Sequence, residues 1–200
     1  MIFRFPDKPI EATLAFLQRI REPEWLAQAK YDGWRLQIYK HEGRIDLFTR
    51  MGNPIEKEAT VPGYLRDEVN QLVARTPDNT VLDAELVGPR GHHKPHIYLF
   101  DLLAYNNGWL VNMPFVSRHE KLLLEFSETA NISFAQTSLE NFRGLFDAWK
   151  KDWIDSGKGL SLCEGIVLKR KTGTMELSNN KSVDSRHLYK IKFRDIRVAR

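Results

Sequence analysis

Lys30 stands directly before an Asp-Gly turn in the stretch KYDGWR, with Arg35 closing it and a strand-like run on either side. A lysine in such a place is ordinarily a solvated charge, but one fixed between strands is also a candidate amine nucleophile. Polar residues recur inside other apolar runs. TVLDAELV sets Asp83 and Glu85 two apart, hence on one face of a strand. In EGIVLK, Glu164 opens an apolar run and Lys169 follows five positions later, on the opposite face unless a bend intervenes. YKIKF puts Lys190 and Lys192 on one face. A carboxylate pair and a lysine pair at this spacing would line a groove carrying both signs of charge. Such a groove suits a magnesium-bound nucleotide, with carboxylates for metal and ribose hydroxyls and cations for phosphates. Taken alone, each strand also reads as the solvated face of an antiparallel sheet.

The elements that would position these groups follow from apolar periodicity. IEATLAFLQRI, residues 10–20, carries apolar residues at helical spacing and predicts a short helix. WRLQIYK predicts a strand, HEGR a turn and RIDLFT a second strand. PGYLRDEVNQLVAR predicts a helix with Pro62 in its first turn and Leu65, Val69, Leu72 and Val73 on one face. TVLDAELV and HIYLFDLLAY predict two strands bridged by the loop GPRGHHKP, and NNG at 106–108 a turn. Ser117 and Glu120 have capping-box spacing for the helix RHEKLLLEFSE. LENFRGLFDAWKKDWIDS predicts a longer helix that stops at Gly157. CEGIVLKRK and HLYKIKF predict late strands, and the polar MELSNNKSVDSR between them a solvent loop. Irregular mixing of strands and helices, without repeats, argues α+β rather than regular βαβ winding.

Two hundred residues suffice for one good-sized core. Hydrophobic content of 42% and charged content of 28% are ordinary for a globular chain, and no apolar run reaches membrane-span length. MIFRFPDKPIEA lacks a signal-peptide pattern, and the lone Cys163 excludes an internal disulfide and any multi-cysteine metal site. An intracellular location, cytoplasmic or nucleoid-associated, is therefore expected, with no membrane partner. The net charge of +4 permits a polyanionic partner without requiring one. His92 and His93 predict a surface loop, Cys163 packing, and Trp149 with Trp153 a packed helix face.

Taken in order, KYDGWR, TRMG (49–52), LDAEL (82–86), LFDLL (99–103), EGIVLK and YKIKF resemble the ordered motifs of ATP-dependent DNA ligases. These are covalent nucleotidyltransferases, like RNA ligases and mRNA capping enzymes, and serve DNA repair, replication and recombination. The resemblance runs from Gln28 to Phe193. It implies an α+β nucleotidyltransferase domain over residues 1–200, an ATP-grasp-like adenylation domain of antiparallel sheets flanked by helices. It implies that Lys30 attacks the ATP α-phosphate and holds AMP as a phosphoramidate, with Asp32 and Gly33 shaping the turn and Asp32 orienting Arg35. Lys190, Lys192 and bound magnesium (or manganese) would favour the neutral amine. Arg35 resembles a ribose and phosphate contact, and Arg50 the arginine that reads the ribose and the acceptor strand's 5′-phosphate. Glu85, supported by Asp83, would meet ribose or metal, and Glu164 the metal. Phe100 resembles the aromatic that stacks on adenine, while Lys169, Lys190 and Lys192 would grip phosphates.

Two departures stand out. Where the family often has Glu two positions before the nucleophile, this chain has Gln28, whose carbonyl oxygen can also accept from the adenine amino group. Little sequence follows Lys192, so no OB-fold domain is expected in this chain. It then reads either as a shortened ligase or as a standalone transferase domain served by an OB-fold partner. Self-adenylation would be slow in that case, and sealing of an adenylated end less affected. Nicked DNA is the expected substrate; the alternatives are an RNA ligase or end-repair adenylyltransferase, and a non-catalytic nucleotide- or DNA-binding module.

Overall fold

The alternation of residues along the strands gives each of the two larger sheets a helix-covered apolar face and an opposite face that carries polar side chains beside smaller apolar clusters. The computed structural model describes residues 2–88, 94–157 and 161–195. Its strands are β1 (Phe5–Pro6), β2 (Lys8–Glu11), β3 (Trp25–Tyr31), β4 (Gly33–His41), β5 (Arg44–Thr49), β6 (Thr80–Val87) and β7 (His96–Tyr105). They continue as β8 (Gly108–Trp109), β9 (Ile132–Phe134), β10 (Thr137–Ser138), β11 (Cys163–Arg170), β12 (Leu177–Ser178) and β13 (Asp184–Lys192). The helices are α1 (Leu14–Arg19), α2 (Gly63–Ala74), α3 (Phe115–Glu125) and α4 (Phe142–Asp155).

One sheet runs β10-β3-β11-β13-β2, a second runs β5-β4-β6-β7-β8 with β9 beside β7, and β1 pairs with β12 in a two-stranded third. Pairing is antiparallel except for β13 with β2 and β7 with β9, so the sheets are not wholly antiparallel as expected. On β4 and β6, Leu36, Ile38, Leu82, Ala84 and Leu86 pack with Leu65, Val69 and Val73 of α2. In the other sheet Ala27, Ile166, Leu168 and Ile191 pack with Leu17 of α1 and with Phe142 and Phe146 of α4. Each fully buried side chain of this size contributes about 1.5–3 kcal/mol. The residues between these positions, among them Gln28, Lys30, Arg35, Asp83, Glu85 and Lys169, therefore fall on the opposite faces.

Local differences from the sequence reading have physical causes. The predicted helix over 10–20 forms only from Leu14, because Ile10 and Glu11 pair in β2 with β13. Ser117 lies inside α3 instead of capping it: Pro114 is the N-cap, and the first amides, of Phe115 and Val116, donate to the carbonyls of Gly173 (2.7 Å) and Lys171 (3.1 Å). Those backbone acceptors do what a capping box would do. Helix α4 begins three residues later than expected, where the Glu22 carboxylate accepts from the amides of Asn141 (2.9 Å) and Phe142 (3.1 Å). It stops at Gly157 as the glycine predicts, with φ +90°.

MELSNNKSVDSR is not a solvent loop. Met175 is buried, Leu177–Ser178 pair with β1, and Asp184 opens β13. Trp149 and Trp153 pack against the α4-side core. His92 and His93 lie outside the described residues. No helix among the described residues is long and apolar enough to cross a membrane.

Candidate active site

The chain passes from one sheet to the other at Asp32, between β3 and β4, and Lys30 is the second-last residue of β3. A glycine is required at 33 because a Cβ there would stand 2.3 Å from the Leu86 carbonyl oxygen. The Asp32 amide donates to the Leu162 carbonyl (3.0 Å), and its side chain is exposed. Asp32 does not orient Arg35. The partner is Asp83, which accepts from Arg35 Nε at 2.9 Å and also from its Nη2, while Nη1 reaches the Asp7 carbonyl at 3.4 Å.

Register builds a polar row across the first sheet. Lys30 lies beside Gly165, which lies beside Lys192; Gln28, Val167 and Lys190 form the next row. The pairing slips between Cys163 and Gly165, so that Glu164 is an extra residue in β11. That bulge is the bend the spacing left open, and it turns Glu164 toward the lysines. Lys30 Nζ donates to Glu164 Oε1, and Lys192 Nζ lies 3.9 Å from the same oxygen. Lys190 pairs with Glu11 at 3.3 Å.

A cavity of about 150 Å³ between the sheets takes in Lys30, Gln28, Arg35, Glu85 and Phe100. Burial pushes the Glu85 carboxyl up to about 7; Lys30 and Arg35 act against the rise, and Asp83 and Glu164 add to it. Glu85 and Glu164, both within electrostatic reach of Lys30 and repelling each other, are the oxygen donors that would suit a hard divalent cation such as magnesium. No group of three or more His, Cys, Asp or Glu side chains among the described residues is placed to hold a metal by itself. Cys163 packs against both neighbouring cores, and burial pushes its thiol up to about 11, which removes it as a nucleophile at neutral pH.

Lys169 lines the same cavity as Lys30, Gln28 and Phe100. It is 5% exposed, donates to the Phe100 carbonyl at 3.2 Å, and sits 5.0 Å and 4.0 Å from the ring centres of Phe100 and Phe115. Burial pushes its ammonium down to about 8. Between that value and an unfolded lysine's value of about 10.4, the unfolded chain binds a proton that the folded chain does not. Stability contributed by this site therefore rises with pH across the window. Denaturant titrations are expected to show wild type gaining on the order of 2 kcal/mol over Lys169→Met between about pH 7 and 10. Parallel curves would place the ammonium in water.

Arg50 is exposed in the turn after β5 and does not line the cavity. Sequence reasoning missed four contributors. Asp101 and Arg118 form a buried pair at the cavity wall, with Nε to Oδ1 at 2.9 Å and Nη2 to Oδ2 at 2.8 Å. Asp7 and Thr137 are the others: the first is a buried wall residue next to β1, the second the cross-strand partner of Gln28. Asp101, inside the LFDLL motif, was the one legible signal among them, since a carboxylate in an apolar strand needs a partner.

Two sheets thus enclose a cavity lined by Lys30, Arg35, Asp83, Glu85 and Phe100, with Lys30 just before the crossing turn. The sequence matches the family described as "ATP dependent DNA ligase domain" over residues 8–95 and 89–192, and the chain belongs to that family. It is 26% identical over 173 residues to the DNA ligase of fowlpox virus, covering 76% of this chain and 29% of that protein. It is 25% identical over 139 residues to the DNA ligase of Methanococcus aeolicus, covering 56% and 24%. The ligase domain of M. tuberculosis LigD superposes with a TM-score of 0.69 at 20% identity, over 94% of this chain and 59% of that one, and shares its fold. This chain thus spans under a third of the length of these two curated relatives.

Proposed function

We propose that this domain takes AMP from ATP onto Lys30, transfers it to the 5′-phosphate at a DNA nick, and supports sealing by the 3′-hydroxyl. The observation that carries this is Lys30 Nζ, hydrogen-bonded to Glu164 at the crossing turn and lining a cavity with Glu85 and Phe100. Attack requires Lys30 to leave Glu164. Lys192, already 3.9 Å from that carboxylate, is the cation placed to take its place. Lys30 gives one ammonium proton to Glu164 as it leaves. The Nζ lone pair so freed forms a bond to the α-phosphorus as the bond to the bridging oxygen breaks and pyrophosphate leaves, and the second proton passes to water as the phosphoramidate forms. Glu164 Oε1 is positioned to take the first of these protons.

Phe100 and Val167 offer the base its apolar surface, and Gln28 an amide edge. Glu85 and Arg35, which face each other across β4 and β6, would hold the ribose hydroxyls and a phosphate. Lys190 and Lys192 would carry phosphate charge, whereas Lys169 supports Phe100 from behind its carbonyl. Arg50, in its exposed turn, would meet the acceptor 5′-phosphate. Magnesium held by Glu85 and Glu164 would supply charge neutralisation for the leaving pyrophosphate.

Intact-protein mass after incubation with ATP and magnesium tests the first step. A gain of one AMP, absent with GTP, is the expected result. No gain, together with no sealing of a pre-adenylated nick in DNA or RNA, would reduce the cavity to a binding site.

A further inference from the structure

Resting on the reading of this cavity as a nucleotide site, we infer that Thr137 sets its base specificity by fixing the direction of the Gln28 amide. Strand β10 is only two residues long, and it sets Thr137 directly opposite Gln28 of β3. Thr137 Oγ1 donates to the Ala135 carbonyl at 2.8 Å. A hydroxyl has one hydrogen. Toward Gln28, whose Nε2 is 3.0 Å away, Thr137 can therefore only accept.

The amide nitrogen is thereby held on the Thr137 side, and its other hydrogen points toward the Phe100 carbonyl at 3.4 Å. Reversing the amide would bring Gln28 Oε1 against the Phe100 carbonyl, which has no hydrogen to give, and against the Thr137 hydroxyl, which could donate only by breaking its bond to Ala135. In the observed direction Oε1 accepts no hydrogen bond among the described residues, while Gln28, only 2% exposed, lines the cavity. It is left as an acceptor for the ligand.

That acceptor distinguishes bases by one group. A purine with an amino group at position 6 donates to it. A 6-oxo purine sets oxygen against oxygen and leaves a buried acceptor unpaired, which disfavours it by roughly ten- to hundredfold. A glutamate at 28 would need no such arrangement, since both of its oxygens accept. A glutamine has two faces and needs one of them tied. Thr137 is thus a positioning residue, acting through Gln28 without touching the base.

The test uses the full chain and compares binding of ATP with inosine triphosphate by calorimetry, which exchanges the 6-amino group for an oxo group and adds a hydrogen at N1. Wild type is expected to favour ATP by about tenfold or more. Thr137→Val keeps size and strand propensity, removes the nearer acceptor and leaves only the Phe100 carbonyl at 3.4 Å, so the preference should shrink to within about threefold. Thr137→Ser should keep it. The double change Thr137→Val with Gln28→Glu should restore it, because the carboxylate cannot be turned the wrong way. An undiminished ATP preference in Thr137→Val, or equal binding of both nucleotides by wild type, would overturn the inference. Intact mass on the same samples reports nucleotidyl transfer separately: the expected binding ratios without an AMP adduct would sink the transfer reading and leave the role of Thr137 standing.

Discussion

Lys30→Ala is expected to abolish the gain of AMP mass while leaving sealing of a pre-adenylated nick measurable. The loss should exceed about 10⁴-fold, since no other amine can take the place of a missing nucleophile. Cys163 is excluded by its raised thiol and Lys169 by its burial between two rings. Lys192 points along the same row but belongs to another strand, one position beyond Gly165. In the proposed mechanism sealing would depend instead on Phe100, Glu85, Glu164 and Arg35, of which only Glu164 contacts Lys30. Removing Lys30 leaves Glu164 with Lys192 and Glu85 with Arg35, so neither carboxylate loses its last cation. Both steps must be measured on one preparation. Equal loss of the two would mean that Lys30 shapes the site and carries no AMP.

The parts of this architecture that depend on neighbours in sequence were legible, and the parts that depend on register were not. Apolar alternation located β4, β6, β7 and β11, and it put Asp83 with Glu85 and Lys190 with Lys192. Strand parity alone set Glu164 and Lys169 on opposite faces. The structure brings Glu164 round by a single extra residue, and such a bulge leaves no mark in local composition. The choice between Asp32 and Asp83 as partner of Arg35 was of the same kind. Asp32 is nearer in sequence, but Asp83 is brought beside Arg35 only when β4 pairs with β6.

Burial of cations was the second blind spot. Lys169 lines the cavity as expected, but its burial by Phe115 and Arg118 of α3 was not legible, since neither is near it in sequence. The helix starts failed for a related reason. The α3 amides found acceptors on the segment after β11, and the α4 amides found Glu22, so neither start needed a local cap.

Glu164→Ala is expected to slow both lysyl-AMP formation and nick sealing, each by roughly 10²–10³-fold, and excess magnesium should not restore either. The bulge gives this carboxylate three tasks at one place. It holds Lys30 in the row, it is the nearest anion to Lys192, and it completes the oxygen pair with Glu85. A metal ligand alone would be partly replaced by raising the metal concentration; a residue that also fixes the nucleophile would not. Glu164→Gln separates the tasks, because it keeps a hydrogen-bond acceptor for Lys30 and loses the charge. Its lysyl-AMP formation should recover part of the loss only when magnesium is raised, whereas Glu164→Ala should stay flat. If either step ignores both substitutions, the metal is held elsewhere and the bulge serves only to seat Lys30. If both variants respond alike to magnesium, Glu164 is a ligand and nothing more, and the proton from Lys30 must leave by another route.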